Sequence, residues 1–399
     1  MAGEICEIEI GGTPSRKEPT FWAVDRTGFP WVSIADMGDG EIVSTKEQIS
    51  ATGAAKSNTK LVPAGTTLMS FKLTVGKIAI TGVDLYTNEA IAAFYPNRTF
   101  MSDSFLPYAL SRAVSTVATD QAVKGVTLNK QKLKELRFLL PPLPEQKKIA
   151  AILSSVDETI QATRETIEQT KKVKQGLMQE LLTRGIGHTR FKKTEIGEIP
   201  ESWEIKSLDN LSMKITDGTH HSPKTQQVGF LYITSKNIKP FKLDIAAPCY
   251  VSQKDHHAIY ARCDVKKGDV LYTKDGANTG FAVVNPLDEE FSLLSSVALI
   301  RTDSSKLLNS FLCQYLNSPT GFSRARGDMD GLAIKRLTLR KIKKILVPVP
   351  SVTEQAEIVL RLTSMDENAA ISEAYLDTLQ LLKKGLMQDL LTGKVRVAV

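Results

Sequence analysis

The sequence predicts an α+β protein in which two mixed α/β domains are separated by two long helices that form an antiparallel coiled coil, with a pseudo-two-fold internal repeat. Three observations predict this class. One helical segment occurs twice in the 399 residues, each copy carries one apolar seam, and the segments before each copy alternate β-branched residues with Gly- and Pro-containing turns. A composition of 42% apolar and 24% charged residues fits a well-folded chain of two or more domains.

The helical repeat is plainest in two nearly identical stretches, KQGLMQELLT at residues 174–183 and KKGLMQDLLT at residues 383–392. Their offset is 209 residues (383 − 174 = 209). Aligned without a gap, residues 145–183 and 354–392 are identical at 15 of 39 positions, which chance does not produce. The chain therefore contains the same helix twice.

Each copy places its seam residues at alternating steps of four and three, which is the spacing of a coiled coil. The apolar seam residues of the first copy are Ile149, Leu153, Val156, Ile160, Ile167, Leu177 and Leu181. Those of the second copy are Ile358, Leu362, Met365, Leu376, Leu379, Leu386 and Leu390. Two seams of equal length in one chain pack most simply on each other, and the globular segment that connects them favours an antiparallel pair.

The ends of both helices are also visible in the sequence. Pro144 suits a first helical turn, and the carboxylate of Glu145 faces the positive end of the helix dipole. The second helix opens with the S-x-x-E spacing of a capping box at Ser351. Gly185 and Gly393 stand where the helices are expected to end.

The globular segments share a weaker pattern, which predicts a first domain at residues 1–140, a helix at 141–185, a second domain at 186–350 and a helix with a short tail at 351–399. The matching stretches are GFPWVSIADM with GFLYITSKNI and AGTTLMS with KGDVLYT, which are expected to be strands and turns. SFLPYALSR and LLNSFLCQYLNS are expected to be short helices. The two domains are thus predicted to be related but divergent.

Composition limits the classes of function. No stretch reaches the roughly 18 apolar residues that span a bilayer, and the acidic N-terminus MAGEICEIEI lacks a signal pattern, so we expect a cytoplasmic protein without membrane contact. The four cysteines are scattered without a C-x-x-C pair, which favours reduced thiols over disulfides or zinc. No metal site is indicated.

The net charge of +7 lies mainly in residues 191–350, where 23 Lys and Arg face 17 Asp and Glu. The basic run IKRLTLRKIKK at residues 334–344 contributes most visibly. Two interpretations are open: an ordinary solvated basic face, or a surface that binds a polyanion.

The whole chain resembles the specificity subunits of type I restriction-modification systems. The resemblance is carried by GGTPSRKEPTFW near the start, LNKQKLKELRFLLPPLPEQKKIAAIL at the entry to the first helix, GLMQELLT at its end, and FKKTEIGEIPESWEIKSL with TDGTHHSPK in the second domain. It implies two target recognition domains, held apart by the helices, that each read one half of an interrupted double-stranded DNA target. It also implies two modification subunits and restriction subunits as partners.

The resemblance implies that the chain itself is not an enzyme, with S-adenosylmethionine, ATP and Mg²⁺ bound only by partner subunits. The residues agree, because the sequence has no G-x-x-x-x-G-K-[ST] loop, no glycine fingerprint after a strand and no Asn-Pro-Pro-aromatic tetrapeptide. A coiled-coil adaptor that does not read DNA is the rival interpretation. A nuclease centred on the E-x-K spacing of Glu204 and Lys206 is a more distant third, because no paired aspartate lies shortly upstream.

Loops rich in Gly, Thr, Ser, Asn and Lys can present amides and short polar groups to phosphates and base edges. In the first domain the candidate DNA-binding residues are Thr13, Ser15, Arg16, Lys17, Ser70 and Lys72. In the second they are Thr219, His220, Ser222, Lys224, Lys236, Asn237, Lys274, Asp275, Asn278, Arg324 and Arg326. Each taken singly could be an ordinary solvated turn residue, and clustering on one face would favour binding.

Overall fold

The computed structural model describes residues 1–399 apart from residues 26, 39, 121–127, 328–335 and 399, and apart from the side chains of residues 117–120, 325 and 326. The chain forms two compact units. The first consists of Met1–Arg164 and Ala374–Val399, and the second of Glu165–Glu373. Each unit therefore contains one globular part and one half of each long helix, whereas the sequence suggested that each helix is a segment of its own.

Two helices are far longer than the rest. In chain order the helices are α1 (Ala2–Ile5), α2 (Ala51–Lys56), α3 (Leu106–Asp120), α4 (Lys130–Lys134), α5 (Leu143–Arg184), α6 (Leu208–Leu211), α7 (Gln253–Tyr260), α8 (Asn309–Asn317), α9 (Pro319–Gly327), α10 (Leu339–Lys343) and α11 (Val352–Leu390). The long helices α5 and α11 and the shorter α3 and α8 confirm the helices expected from the sequence. None of the helices in the described part of the chain is long and apolar enough to cross a membrane.

The first unit contains two mixed sheets. Its strands are β1 (Cys6–Ile10), β2 (Trp22–Ala23), β3 (Phe29–Val32), β4 (Glu41–Ile42), β5 (Glu47–Ile49), β6 (Leu61–Val62), β7 (Thr67–Ser70), β8 (Ile78–Thr81), β9 (Leu85–Thr87) and β10 (Ile91–Pro96). One sheet has the order β1-β10-β7-β8-β4 and the other β2-β5-β3-β9-β6. A short 3₁₀ helix, Pro19–Phe21, precedes β2.

The second unit repeats this plan with smaller sheets. Its strands are β11 (Phe191–Thr194), β12 (Gly197–Pro200), β13 (Glu204–Ser207), β14 (Ser212–Asp217), β15 (Phe230–Ile233), β16 (Ile238–Lys239), β17 (Lys242–Leu243), β18 (Tyr250–Val251), β19 (Val270–Thr273), β20 (Ala282–Val284), β21 (Ser292–Leu293), β22 (Val297–Thr302) and β23 (Leu346–Val349). The main sheet has the order β14-β22-β19-β20, and a second sheet has the order β18-β15-β21. Three two-stranded sheets pair β11 with β12, β13 with β23, and β16 with β17.

The internal repeat extends to the sheet topology. The order β1-β10-β7-β8 in the first unit matches β14-β22-β19-β20 in the second, with antiparallel pairing throughout. The parallel pair β3–β9 likewise matches β15–β21. The two domains are therefore two copies of one fold, as the weaker sequence pattern predicted.

The two long helices run antiparallel where they meet within each unit. In the second unit Lys174 pairs with Asp366, and Lys171 lies 3.0 Å from Glu373. The residue numbers of the partners on α11 therefore rise as those on α5 fall, which is the antiparallel order. In the first unit the Lys383 ammonium lies 2.5 Å from Asp157. Since 174 + 209 = 383 and 157 + 209 = 366, the two ion pairs occupy equivalent positions of the repeat.

The seam residues of both helices are buried or half-buried along their whole length. Ile149, Leu153, Leu390 and Leu391 belong to one apolar core in the first unit. Ile358 and Leu362 belong to the equivalent core in the second unit. Because these cores also contain sheet and short-helix residues, each pair of helix halves is packed into its own globular part.

A glutamate in the first turn of each long helix accepts hydrogen bonds from residues that follow the C-terminal end of the other long helix. Glu145 accepts hydrogen bonds from Arg396 at 2.8 and 2.7 Å, while Glu354 accepts from the amide of Ile186 at 3.0 Å and from the indole of Trp203 at 3.0 Å. The capping box predicted for the second helix is only half formed. Ser351 accepts from the Glu354 amide, but the Glu354 side chain is engaged elsewhere.

Gln146 and Gln355 anchor the two helix starts in the same way. The Gln146 amide donates to the carbonyls of Phe100 and Pro141 at 2.8 and 2.9 Å. Gln355 donates to the carbonyls of Lys306 and Pro350 at 2.9 and 3.0 Å. The glycines expected to end the helices, Gly185 and Gly393, have φ of +67° and +72°, the left-handed conformation that terminates a helix.

Candidate nucleic-acid interface

The predicted DNA-binding residues fall largely in two loop clusters, one in each unit. The first loop cluster is defined here as residues 11–17, 71–77 and 88–90 with Glu47, and the second as residues 217–224, 234–237, 274–280 and 294–296. Each cluster lies at the C-terminal ends of a parallel pair of strands, β3 with β9 in the first unit and β15 with β21 in the second. The ends of neighbouring strands lie at the same place. Strands β1 and β7 both pair antiparallel with β10, so they end at the same edge, and β14 and β19 do the same against β22.

Equivalent backbone hydrogen bonds hold the two clusters. The Phe71 amide donates to the Ala90 carbonyl at 2.9 Å, and the Lys274 amide donates to the Ser296 carbonyl at 2.9 Å. The amides of Gly12 and Thr219 donate to the last residues of β9 and β21, each at 2.8 Å. The two loop clusters are therefore the same place in the two copies of the fold.

Thr13 and Glu89 form the centre of the first loop cluster. The Thr13 hydroxyl donates to the Glu89 carboxylate, and this bond, aided by the charges of Lys72 and Arg16, lowers the pKa of Glu89. Lys72 is half-exposed, with its ammonium 5.5 Å from the Phe71 ring. The structure thus brings three of the six first-domain candidates around one carboxylate.

Arg16 is fixed at the surface by contacts on two sides. Its guanidinium forms a two-point pair with Glu47, which raises the pKa of Arg16, and it lies 3.7 Å from the centre of the Trp22 ring. The neighbouring Ser15 and Lys17 are exposed, and the Ser15 carbonyl accepts from the Trp22 indole at 3.2 Å. These contacts tie the loop to Glu47 and Trp22, and its polar side chains are exposed.

Ser70 does not belong with these exposed residues. Its side chain is fully buried, its hydroxyl donates to the carbonyl of Thr74, and it accepts from the Lys77 amide at 3.0 Å. The prediction that Ser70 contacts DNA is wrong, because this hydroxyl is used to close the turn between β7 and β8.

The second loop cluster is organised by the buried carboxylate of Asp217. The ammonium of Lys274 lies 3.4 Å from Asp217 and 3.3 Å from Asp275, and only 6% of the Lys274 side chain is exposed. His220 and Arg262 lie 3.4 and 3.5 Å from the same Asp217. Lys274 is therefore a buried ion-pair partner that stabilises the cluster, which corrects its prediction as a DNA contact.

Three other candidates also serve the loops themselves. Asn278 donates to the carbonyls of Ser235 and Ile238 at 2.9 and 3.2 Å. Asn237 donates to the Asp244 carbonyl at 2.9 Å and accepts from the Thr234 amide at 2.9 Å. Asp275 is occupied by Lys274 and by Arg336, whose Nε donates to it at 2.7 Å. These side chains shape the cluster, and their polar atoms are not directed to a partner.

The remaining candidates of the second cluster are available at the surface. His220, Ser222, Lys224 and Lys236 are exposed, and Thr219 is half-buried, with its hydroxyl accepting from the His221 amide at 3.2 Å. Four exposed polar or basic side chains thus lie on the loops of the second cluster. Their role in DNA binding stays a prediction.

Arg324 lies outside the clusters and is held internally. It donates to the Tyr315 hydroxyl at 3.1 Å and to the Ile196 carbonyl, so its predicted phosphate contact is replaced by a structural one. The side chain of Arg326 lies outside the described residues.

Two arginines were missed by sequence reasoning. Arg262 donates to the carbonyls of Asp217, at 3.1 Å, and Gly218, and Arg336 is held by Asp275, yet both side chains are more than half exposed. Arg336 lies in the basic run at residues 334–344, so the sequence did contain a pattern that could have identified it. Arg262 had no local signal, because only the fold places it beside Asp217.

The E-x-K spacing at Glu204 has a structural explanation. Glu204 and Lys206 form an exposed ion pair on β13, and this contact lowers the pKa of Glu204. Within the described ranges, no group of three or more His, Cys, Asp or Glu could hold a metal ion. The nuclease interpretation therefore gains no support from geometry.

Comparison with known proteins places the chain in a family. The type I restriction modification DNA specificity domain matches residues 2–172 and 200–381. A putative type I restriction enzyme MjaX specificity subunit of Methanocaldococcus jannaschii is 29% identical over 99% of this chain and 92% of its own length. The MjaVIII specificity subunit of the same organism is 30% identical over 74% of this chain and 71% of its own length.

A solved structure gives the same fold. A chain from a study of complex assembly and conformational transition of the type I R-M system superposes with a TM-score of 0.61 at 18% identity, covering 98% of this chain and 96% of that one. At 18% identity, this similarity shows a shared fold and nothing more.

Proposed function

Because the chain belongs to the family of type I restriction modification DNA specificity proteins, we propose that its first and second loop clusters each read one half of a bipartite DNA target. The chain is the DNA-recognition subunit of a type I restriction-modification complex. The observation that carries the assignment of the two reading sites is that the same loop edge, in two copies of one fold, presents exposed polar and basic side chains twice.

The two clusters differ in the groups that they expose, which supports different half-sites. The first presents Ser15, Lys17 and Lys72, and the second presents His220 and Lys224 among others. Lysines supply phosphate contacts, and hydroxyls and imidazoles can contact base edges. In the second cluster the buried ion pair of Lys274 with Asp217 holds the loops in place, so that little ordering is needed on binding.

The long helices are proposed to space the two domains and to dock two modification subunits. The second helix carries apolar side chains that remain exposed, namely Leu360, Ile371, Tyr375, Leu381 and Leu382. Exposed apolar residues along a helix that already has its seam partner suit a protein interface. We further propose that restriction subunits join the complex, and that S-adenosylmethionine, ATP and Mg²⁺ are bound by the partner subunits.

Under this proposal the chain has no catalytic activity of its own and acts in the cytoplasm, where cellular DNA is the target. The proposal rests on the missing motifs for methyl transfer and ATP binding and on the ion pair that Glu204 forms with Lys206. Purified alone, the chain should neither methylate, hydrolyse ATP nor cut DNA.

The test is to map methylated adenines in a host that expresses the chain with its modification subunits. Lys17→Ala with Lys72→Ala removes exposed cations from the first cluster, and Lys224→Ala with Lys236→Ala does so in the second. We expect each double variant to relax or weaken one half-site and to leave the other unchanged. Lys172→Ala, at an exposed helix position, is the matched control and should leave the whole target unchanged.

Loss of both half-sites together in a variant that remains folded would contradict the division of reading between the clusters. An unchanged target in both double variants would remove these lysines from the interface.

A further inference from the structure

A cavity lies within the second unit, between its halves of the two long helices and its globular part. It has a volume of about 580 Å³, and small-molecule sites usually have roughly 300–1,000 Å³. Its walls are α5, α11, the turn between β16 and β17, the residue before β20, and helices α8 and α9. All lining residues belong to the second unit. One side chain of a partner protein would leave most of this volume empty, so the size favours a small molecule.

Three phenylalanine rings line the cavity. Phe281 and Phe322 are stacked, with ring centres 5.3 Å apart and ring planes 16° apart. Phe241, in the turn between β16 and β17, contributes the third ring, and Met178 and Met365 add apolar surface. The three rings are half-buried, so part of each ring remains accessible to a ligand.

The backbone of Phe241 has a conformation that favours glycine. Its φ is +61°, which a phenylalanine rarely adopts. Residues 28–37 align with 229–238 at an offset of 201 residues (229 − 28 = 201), and the same offset places Gly40, with φ of +106°, opposite Phe241. The turn itself therefore suits glycine, and the aromatic ring needs another explanation. Residues held in disfavoured conformations cluster at binding sites.

Phe281 also differs from its counterpart in the first unit. The amide of Ser70 donates to the Lys77 carbonyl at 2.9 Å, and the amide of Thr273 donates to the Phe281 carbonyl at 2.9 Å. Because Ser70 and Thr273 end the equivalent strands β7 and β19, Lys77 occupies the place of Phe281.

The counterpart of Phe322 is Val114. Gly76 and Gly280 directly precede the two residues just compared, and a Cβ on Gly76 would lie 2.9 Å from the Val114 side chain. A Cβ on Gly280 would lie 2.9 Å from the Phe322 ring. The second unit thus has a phenylalanine at three positions where the first has Gly, Lys and Val. The aromatic lining does not follow from the shared fold.

The polar groups of the cavity are balanced in charge. The ammonium of Lys174 pairs with Asp366 and lies 4.3 Å from the centre of the Phe241 ring. Lys171 lies 3.0 Å from Glu373, and these four residues are the charged part of the lining. A hydrogen-bond donor therefore stands beside an acceptor in a cavity without net charge. This pattern complements the edge of a nucleobase, where a donor also lies beside an acceptor.

We propose that this cavity binds a purine nucleoside. The purine ring stacks on Phe241 and on the Phe281–Phe322 pair, its edge pairs with Lys174 and Asp366, and the ribose fills the remaining volume. Aromatic side chains hold bases by such stacking. The balanced charge favours an uncharged nucleoside over a nucleotide. The proposal is independent of DNA reading by the loop clusters, and its test uses no DNA.

Isothermal titration calorimetry of the full chain with adenosine and with guanosine tests the proposal. We expect at least one of them to bind saturably, with one molecule per chain. Cytidine also has a donor beside an acceptor on its edge, but its smaller ring offers less surface for stacking. It should therefore bind more weakly than the purine nucleoside.

Two variants remove rings from the cavity. Phe241→Gly restores the residue found at the equivalent position of the first unit, so the Tm should be unchanged or higher while the affinity falls at least about tenfold. Phe281→Leu keeps an apolar side chain and should weaken binding in the same direction. Phe100→Ala, at an exposed phenylalanine of the first unit, is the matched control and should leave binding unchanged.

Photolabelling with 8-azidoadenosine gives the location of the site. The label is expected on residues 170–178, 240–241, 281 or 317–322. Absence of saturable binding by both purine nucleosides, cytidine binding as tight as theirs, unchanged affinity in both ring variants, or labelling confined to the first unit would each overturn the proposal.

Discussion

Glu145, in the first turn of α5, accepts two hydrogen bonds from the guanidinium of Arg396, three residues beyond the Gly393 that ends α11. The amide of Val397 donates to the same carboxylate at 3.1 Å. A buried carboxylate at one helix start thus fixes the chain leaving the other helix. Glu354 does the same in the second unit with Ile186 and a different set of donors.

This contact predicts a specific pH dependence of stability. Hydrogen bonding to Arg396 lowers the pKa of Glu145, so its contribution is present above the ordinary glutamate value of about 4.3 and is lost as the pH falls through the lowered pKa. Glu145→Gln should lower the Tm at pH 7, and the difference from the unmodified chain should shrink towards pH 3. Thermal melts at half-unit pH steps measure it.

Arg396→Ala is the control, since it removes the cause of the lowered pKa and should reduce the same part of the pH dependence. A difference in Tm between Glu145→Gln and the unmodified chain that stays constant from pH 7 to 3 would contradict the assignment.

The seam lysine Lys174 predicts unequal costs for two neighbouring ion pairs. Its side chain is 14% exposed, pairs with Asp366 and lies 4.3 Å from the centre of the Phe241 ring, so it is held by contacts on two sides. Asp366→Ala leaves this ammonium partly buried without its partner and should cost about 1–2 kcal/mol. Glu373→Ala breaks the exposed pair with Lys171 and should cost about 0.5 kcal/mol or less.

Urea denaturation of the two variants side by side measures these free energies of unfolding. Equal losses of unfolding free energy in the two variants would contradict the prediction, because the half-buried and the exposed ion pair would then contribute equally to stability. The charge-exchanged protein with Lys174→Asp and Asp366→Lys should recover part of the loss.

Thiol reactivity provides a third test. Burial raises the pKa of Cys6, Cys263 and Cys313 to about 12, while Cys249 is exposed. At pH 8 the folded protein should react rapidly with a disulfide reagent at Cys249 alone, because the thiolate is the reactive form. All four thiols should react after denaturation, and rapid titration of more than one in the folded state would contradict the burial.

Binding to DNA should show the electrostatic contribution of the second loop cluster. If Lys224 and Lys236 each neutralise one phosphate, replacing both by alanine should reduce the slope of log K against log salt concentration by about 2. Replacing the exposed helix residues Lys172 and Lys384 in the same way is the matched control. Salt titrations of duplex binding, carried out with the modification subunits, distinguish the two results, and an unchanged slope for the loop variant removes both lysines from the phosphate contacts.

Much of the fold followed from the sequence because the signals were periodic or repeated. The seam from Ile149 to Leu181 and its copy from Ile358 to Leu390 predicted two partnered helices, and the stretches that became β3 and β15 predicted related domains. Local chemistry also predicted the helix ends at Gly185 and Gly393. Such features depend on neighbours along the chain.

The candidate site was predicted less well, because whether a polar side chain faces solvent depends on residues far away in sequence. Lys274 and Lys224 both lie in polar loops, but Asp217 draws the first into a buried ion pair and leaves the second exposed. Ser70 was assigned to an exposed turn and instead closes that turn from inside. Arg262 became a candidate only when the fold set it beside Asp217.

The sequence by itself determined the repeat, the class of fold and the family resemblance, since these depend on composition, periodicity and short motifs. Only the tertiary structure decided which polar residues hold the loops and which are available to DNA, since burial and pairing are properties of distant segments brought together.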